Sequence, residues 1–214
     1  MRYLLLTILF LSACSAATSN ESEHQHQGNG VHSNHQTAEV ETRTVEEAST
    51  EDTARDYFTD TVLVRHDGAQ QRFYSDVLAD KTVVISFIFT SCPDACPLIN
   101  AQIQKLQSEV EGRLGDDIHF VSISVDPLTD TAEVLSEYRD KFGAKDGWWF
   151  FTGTPEAVTK VSHKLGNVFE KKEQHSTTLL VGNLKTARWR KIPSHLPSNV
   201  IGAQLLDIAN ETLD

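Results

Sequence analysis

TVVISFIFTSCPDACPLIN, residues 82–100, carries the decision about the fold. Its first part, Thr82 to Phe89, is almost wholly β-branched or aromatic. A run that is apolar on both faces reads as a strand buried in the middle of a sheet. Cys92 and Cys96 follow, and then Pro97, which suits the first turn of a helix. Ile99, Ile103, Leu106, Val110 and Leu114 continue at helical spacing as one apolar face. Strand, cysteine loop and helix in that order put both sulfurs at the carboxyl edge of the sheet, where α/β proteins collect their sites.

The flanking sequence supplies the other layers. Thr61 to His66, Asp67-Gly68 and Ala69 to Tyr74 predict a β-hairpin closed by a type I′ turn. Ile118 to Val125 predicts a second central strand, and Thr131 to Phe142 a helix with Leu135, Tyr138 and Phe142 inward and Gly143 as its stop. Trp148 to Phe151 reads as a short strand, and Pro155 to Leu165 as a helix ended by Gly166. Ser176 to Val181 and Ala187 to Ile192 read as paired strands, and Pro197 to about Leu213 as the last helix. Strands alternating with helices predict an α/β sandwich with a mixed central sheet. The order resembles the thioredoxin fold with an N-terminal β-hairpin extension.

The chain has 214 residues, a formal charge of -11 and 39% hydrophobic residues, enough for one domain plus tails. The acidic balance argues against nucleic acid as a partner, since that partner needs a basic face. Arg2 followed by the apolar stretch Tyr3 to Leu11 matches a secretory signal, and the stretch is too short to span a bilayer. Leu11-Ser12-Ala13-Cys14 resembles the lipobox of bacterial lipoproteins, which implies lipidation at Cys14 and an exported protein facing the periplasm or cell exterior. Residues 1–14 are then signal peptide and lipobox. Residues 15–55 are rich in Ser, Thr, Glu, Gln and His, and predict a disordered tether that carries His24, His26, His32 and His35. The folded domain is expected over 56–214.

Of three cysteines, Cys92 and Cys96 are the two left if Cys14 carries lipid. In an oxidising compartment they must be paired, bound or kept reduced. Spacing alone leaves a disulfide, a redox pair and two arms of a metal site all open. If Cys96 lies in the helix's first turn, the helix dipole favours its thiolate. Thiolates select copper(I), zinc or iron–sulfur, and two are too few for a cluster held by the protein. Four of nine histidines lie in the tether; His66 sits beside the hairpin turn, His119 in a strand, His163 in a helix and His195 in a late loop. His175 lies in a polar stretch just before an apolar strand, in a loop that could face the cysteines. Met1 is the one methionine, so a copper site in the mature chain must use Cys and His.

Phe89-Thr90-x-Cys92-Pro93-Asp94-x-Cys96-Pro97, Ser124-Val125-Asp126-Pro127-x-x-Asp130-Thr131, Phe151-Thr152-Gly153 and His175-Ser176 together resemble the Sco/SenC proteins. These are membrane-tethered copper proteins that help assemble the copper site of cytochrome c oxidase. The resemblance covers roughly residues 56 to 212. It implies copper as the bound metal, Cys92, Cys96 and His175 as its ligands, and Asp126 as an acidic neighbour of the site. It also implies a copper-accepting respiratory oxidase subunit, or another copper protein, as partner, with the membrane reached through a lipid anchor. Ser91 stands where the family often has His, and Gly182-Asn183-Leu184-Lys185 replaces its usual Asp-Gly turn. Two rival chemistries use the same thiols. A thiol–disulfide reductase, with Cys92 and Cys96 as its redox-active pair, would keep an acceptor's copper-site cysteines reduced. Against it stand the absence of Cys-x-x-Cys and the presence of His175 where thioredoxin-like enzymes usually carry a cis proline. A peroxidase would need a Pro and Thr ahead of a single Cys, a pattern this chain lacks.

Overall fold

The computed structural model describes residues 50–110 and 112–211. The expectations for the signal segment, Cys14 and His24, His26, His32 and His35 lie outside them. The chain runs α1 (Thr50–Phe58), β1 (Val62–Arg65), β2 (Gln70–Arg72), a π-helical turn (Phe73–Leu78), β3 (Thr82–Ile88), α2 (Ala95–Glu109) and β4 (Ile118–Ser124). It continues through α3 (Ala132–Lys141), β5 (Trp148–Thr152), α4 (Pro155–Lys164), a 3-10 turn (Lys172–Gln174), β6 (Thr178–Asn183), β7 (Arg188–Pro193) and α5 (Ser198–Ala209).

The strands form one seven-stranded sheet in the order β2-β1-β5-β4-β3-β6-β7. β3, β4 and β5 are parallel to one another, and the outer pairings are antiparallel. This is the mixed sheet of an α/β, thioredoxin-like fold. β3 and β4 are buried at every residue, as two-faced apolar strands must be. The buried serines are satisfied: Ser86 and Ser122 share a hydrogen bond of 2.9 Å, and the Trp148 indole N–H donates to Ser122 Oγ at 3.0 Å. Helices α2 and α5 pack together, and Asn100 of α2 donates to the Tyr138 hydroxyl of α3 at 3.0 Å.

Register matters for the site. β3 pairs with β4 from Thr82↔Ile118 to Ile88↔Ser124. On its other side β3 pairs with β6 only from Thr82↔Asn183 to Ile85↔Leu180. β6 nevertheless stays paired with β7 as far as Thr178↔Pro193. Strands β3 and β6 therefore part company toward the carboxyl end of β3.

Several local expectations are corrected. The hairpin turn is not type I′. Gly68 has φ 85 while Asp67 is not in the left-handed region. Gly68 N–H donates to the Arg65 carbonyl, and Arg65 N–H donates to that of Ala69. That is a three-residue loop with a glycine bulge. The second hairpin strand ends at Arg72, because Phe73, Tyr74, Val77 and Leu78 are drawn into the core by the π-helical turn. Helix α1 begins inside the stretch assigned to the tether, and it buries Phe58 against Trp189 with ring centroids 5.0 Å apart. Helix α2 ends at Glu109, so Leu114 falls outside it.

Candidate metal centre

Helix α2 starts at Ala95, so Cys96 lies in its first turn and Cys92 in the loop before it. The loop is fixed at both ends. Cys92 N–H donates to the Phe89 carbonyl at 3.1 Å, and Cys96 N–H donates to Cys92 Sγ at 3.4 Å. The Cys92 sulfur thus sits over the open N-terminus of α2, where unpaired N–H groups gather. Cys92 is half-buried and Cys96 is fully buried; both are free thiols.

Their acidities diverge. Burial pushes the Cys92 thiol up, but hydrogen bonds from Cys96 and the N–H groups of Asp94 and Ala95 outweigh it, and the net shift is downward. Burial pushes the Cys96 thiol up to about 12, opposed by the Phe89 backbone and reinforced by Cys92. The helix terminus therefore favours the thiolate of the loop cysteine, not of the helical one as the sequence suggested. Desolvation of the inner sulfur outweighs the dipole.

His175 caps the 3-10 turn ahead of β6 and is 6% exposed. The splayed register of β3 and β6 opens the space in which it meets the cysteine loop. Its Nε2 lies 3.6 Å from Cys96 Sγ, and its Nδ1 lies 3.0 Å from the Ser176 carbonyl. A carbonyl oxygen only accepts, so Nδ1 carries the proton. In the neutral ring Nε2 then presents a lone pair toward the sulfur. Burial holds the imidazole pKa below its ordinary value, which favours that neutral form. The Phe89 ring stands edge-on to the imidazole at 5.6 Å.

The donor set suits a soft ion: two sulfurs and an imidazole nitrogen whose other nitrogen is tied off. Among the described residues no three His, Cys, Asp or Glu side chains are already gathered as a ligand set. Cys96 and His175 are adjacent, while Cys92 faces the helix terminus. Residues 46–201 match the SCO1/SenC family.

The chain belongs to the SCO1/SenC family. It is 32% identical over 119 residues to the mitochondrial protein SCO1 homolog 1 of Arabidopsis thaliana, a match covering 56% of this chain and 34% of that protein. The matched stretch spans between a third and a half of the first curated relatives' length. A SCO1/SenC family lipoprotein from Bacillus anthracis superposes with a TM-score of 0.60 at 26% identity, covering 70% of this chain and 92% of that one. Copper-bound ScoI of Arabidopsis thaliana superposes with a TM-score of 0.60 at 23% identity, covering 71% and 96%.

In this SCO1/SenC chain the acidic neighbour Asp126 makes no hydrogen bond to either thiol. Its carboxylate accepts from Lys172 Nζ at 2.6 Å, while its backbone carbonyl closes the turn by accepting from Thr129 and Asp130. The other histidines among the described residues are elsewhere. His66 accepts from the Phe150 N–H at 3.3 Å, and His119 is buried in β4 against Trp149. His163 and His195 are exposed.

Sequence reasoning missed Asp130 as a structural part of the site. It is completely buried, accepting from Thr90 N–H at 3.0 Å, Thr90 Oγ at 2.5 Å and Ser124 Oγ at 2.5 Å. It thereby ties the start of the cysteine loop to the end of β4. The Asp-Pro-x-x-Asp-Thr block carried the signal, but only as part of a resemblance. No helix among the described residues is long and apolar enough to cross a membrane.

Proposed function

We propose that this SCO1/SenC chain is a copper chaperone. It holds one copper ion through Cys92, Cys96 and His175, and delivers the ion to, or prepares, the copper site of a respiratory oxidase or another copper protein. The observation that carries this reading is the Cys96–His175 pair at 3.6 Å with Nδ1 committed to the Ser176 carbonyl. That arrangement leaves a nitrogen lone pair beside a buried sulfur. The single methionine, Met1, leaves thiolate and imidazole as the soft donors of the mature chain. Copper is the cargo, and it supplies the soft acceptor for which the two thiols give up their protons. Binding therefore releases protons and requires the reduced pair. Copper bound in the related Arabidopsis structure supports the same reading. The lipobox-like Leu11-Ser12-Ala13-Cys14 supports export and anchoring through Cys14, in keeping with the Bacillus anthracis relative described as a lipoprotein. The test is a copper(I) titration of the reduced protein. One ion should bind per chain, and the Cys92→Ala, Cys96→Ala double variant should lose it. A double variant that binds as tightly as the parent excludes the assignment.

A second reading has its own observation. Cys92 is the more exposed of the two thiols and its sulfur is set over the α2 terminus, while Cys96 waits buried four residues on. This is the arrangement of an attacking and a resolving thiol in a thiol–disulfide reductase. His175→Ala separates the two: copper retention falls under the chaperone reading, while disulfide exchange with a model dithiol is spared. The opposite result ranks the reductase first.

A further inference from the structure

The segment that carries His175 runs from the end of α4 to β6, and few apolar anchors hold it. Val168 is 71% exposed, and Lys171, Glu173 and Gln174 face solvent. At its base Asn167 Oδ1 accepts from Ser176 N–H at 2.8 Å. At its middle the 3-10 turn begins with Lys172, whose carbonyl accepts from His175 N–H at 3.3 Å. Lys172 and His175 are thus opposite ends of one hydrogen-bonded turn. The Lys172 ammonium reaches across to the loop after β4, where it donates to Asp126 Oδ2 at 2.6 Å. It also lies 5.1 Å from the centre of the Phe89 ring, the same ring that stands edge-on to His175. The pair is more sheltered than most surface bridges, with side chains 33% and 14% exposed. A sheltered carboxylate also strengthens the pull on a cation.

We propose that Lys172 is a positioning residue for His175, acting through Asp126 and Phe89. The ion pair fixes one end of the turn, and the Phe89 ring, beneath the ammonium and edge-on to the imidazole, fixes the other. Together they hold Nε2 in place beside Cys96. Releasing Lys172 lets the turn swing away from the cysteine loop while the sheet remains folded. Asp126, which the resemblance marked only as an acidic neighbour, is the anchor of this device. The inference rests on the copper reading only for its effect on affinity; its effect on the metal-free protein stands alone.

The experiment compares the reduced full chain with its Lys172→Met, Lys172→Arg and Asp126→Asn variants. Two measurements are made without metal: the ¹⁵N shifts of the His175 ring, and the alkylation rate of Cys96 by iodoacetamide. The parent should show a single Nδ1–H tautomer and a slowly alkylated Cys96. Lys172→Met and Asp126→Asn should mix the tautomers and speed alkylation of Cys96, with Lys172→Arg restoring the parent behaviour. Copper(I) affinity should fall about tenfold in the first two variants, the size expected when a ligand loses its support. Parent-like ring shifts and alkylation in Lys172→Met overturn the proposal. So does a failure of Lys172→Arg to rescue, since the loss would then not be one of charge. Altered ring shifts with unchanged copper affinity uphold the positioning role and remove His175 from the copper site instead.

Discussion

Two buried histidines at opposite edges of one sheet invite comparison. His175 at the carboxyl edge and His119 at the amino end of β4 are 6% and 4% exposed, and burial lowers the pKa of both. Their surroundings differ. His175 has Nδ1 tied to a carbonyl and Nε2 turned to sulfur. His119 has a buried Nδ1 with no hydrogen-bond partner, and its ring lies 4.2 Å from that of Trp149. It lines a polar cavity of about 290 Å³ with Arg65, His66 and Arg139, where no thiol is present. Burial alone does not make a histidine a ligand. One nitrogen must be committed so that the other is left over and correctly aimed.

The largest expected effect bears on what holds the carboxyl edge together. Asp130→Ala removes the acceptor of three hydrogen bonds inside the protein and should cost about 3 kcal/mol or more, measured by urea unfolding. A loss under about 1 kcal/mol would mean that the cysteine loop is held by something else. Next is the acid response of His119. Burial lowers its pKa to about 4 from 6.5, so the stability tied to its neutral form is complete above pH 6.5 and is lost as the pH falls toward 4. The span is on the order of 2–3 kcal/mol. His119→Leu should flatten that part of the stability profile and leave copper affinity unchanged. A variant that loses copper breaks the contrast between the two edges. His175→Ala, by contrast, should lower copper(I) affinity by about tenfold or more. The smallest effect belongs to the amino edge. Asp67→Asn breaks the pair with Arg65 at the hairpin and should cost under about 1 kcal/mol in thermal or urea unfolding. A larger loss would show that this edge, too, depends on a linked network.

The fold was legible where the sequence had a period. Strand runs such as Thr82 to Phe89 and the helix stripe from Ile99 to Val110 declare their buried faces directly. Helix stops were equally readable: Gly143 and Gly166 end their helices at positive φ. What stayed hidden was set by tertiary contact. The π-helical turn Phe73–Leu78 follows from four apolar residues finding one core, and no local period announces it. Helix α1 has a polar, acidic composition that reads as tether until Phe58 meets Trp189. In the site, the identities of Cys92, Cys96 and His175 came from spacing and resemblance. The inversion of the two thiol acidities could not, because it depends on which sulfur is covered. The Lys172–Asp126 contact joins residues 46 positions apart, and nothing in either neighbourhood signals it.

The early end of the β3–β6 ladder, at Ile85↔Leu180, has a mechanical meaning. Beyond that rung the two strands open like shears, with one sulfur-bearing loop on the first blade and the imidazole on the second. The hinge rung is made by Ile85 and Leu180, both buried, so the blades part from a point held in the core.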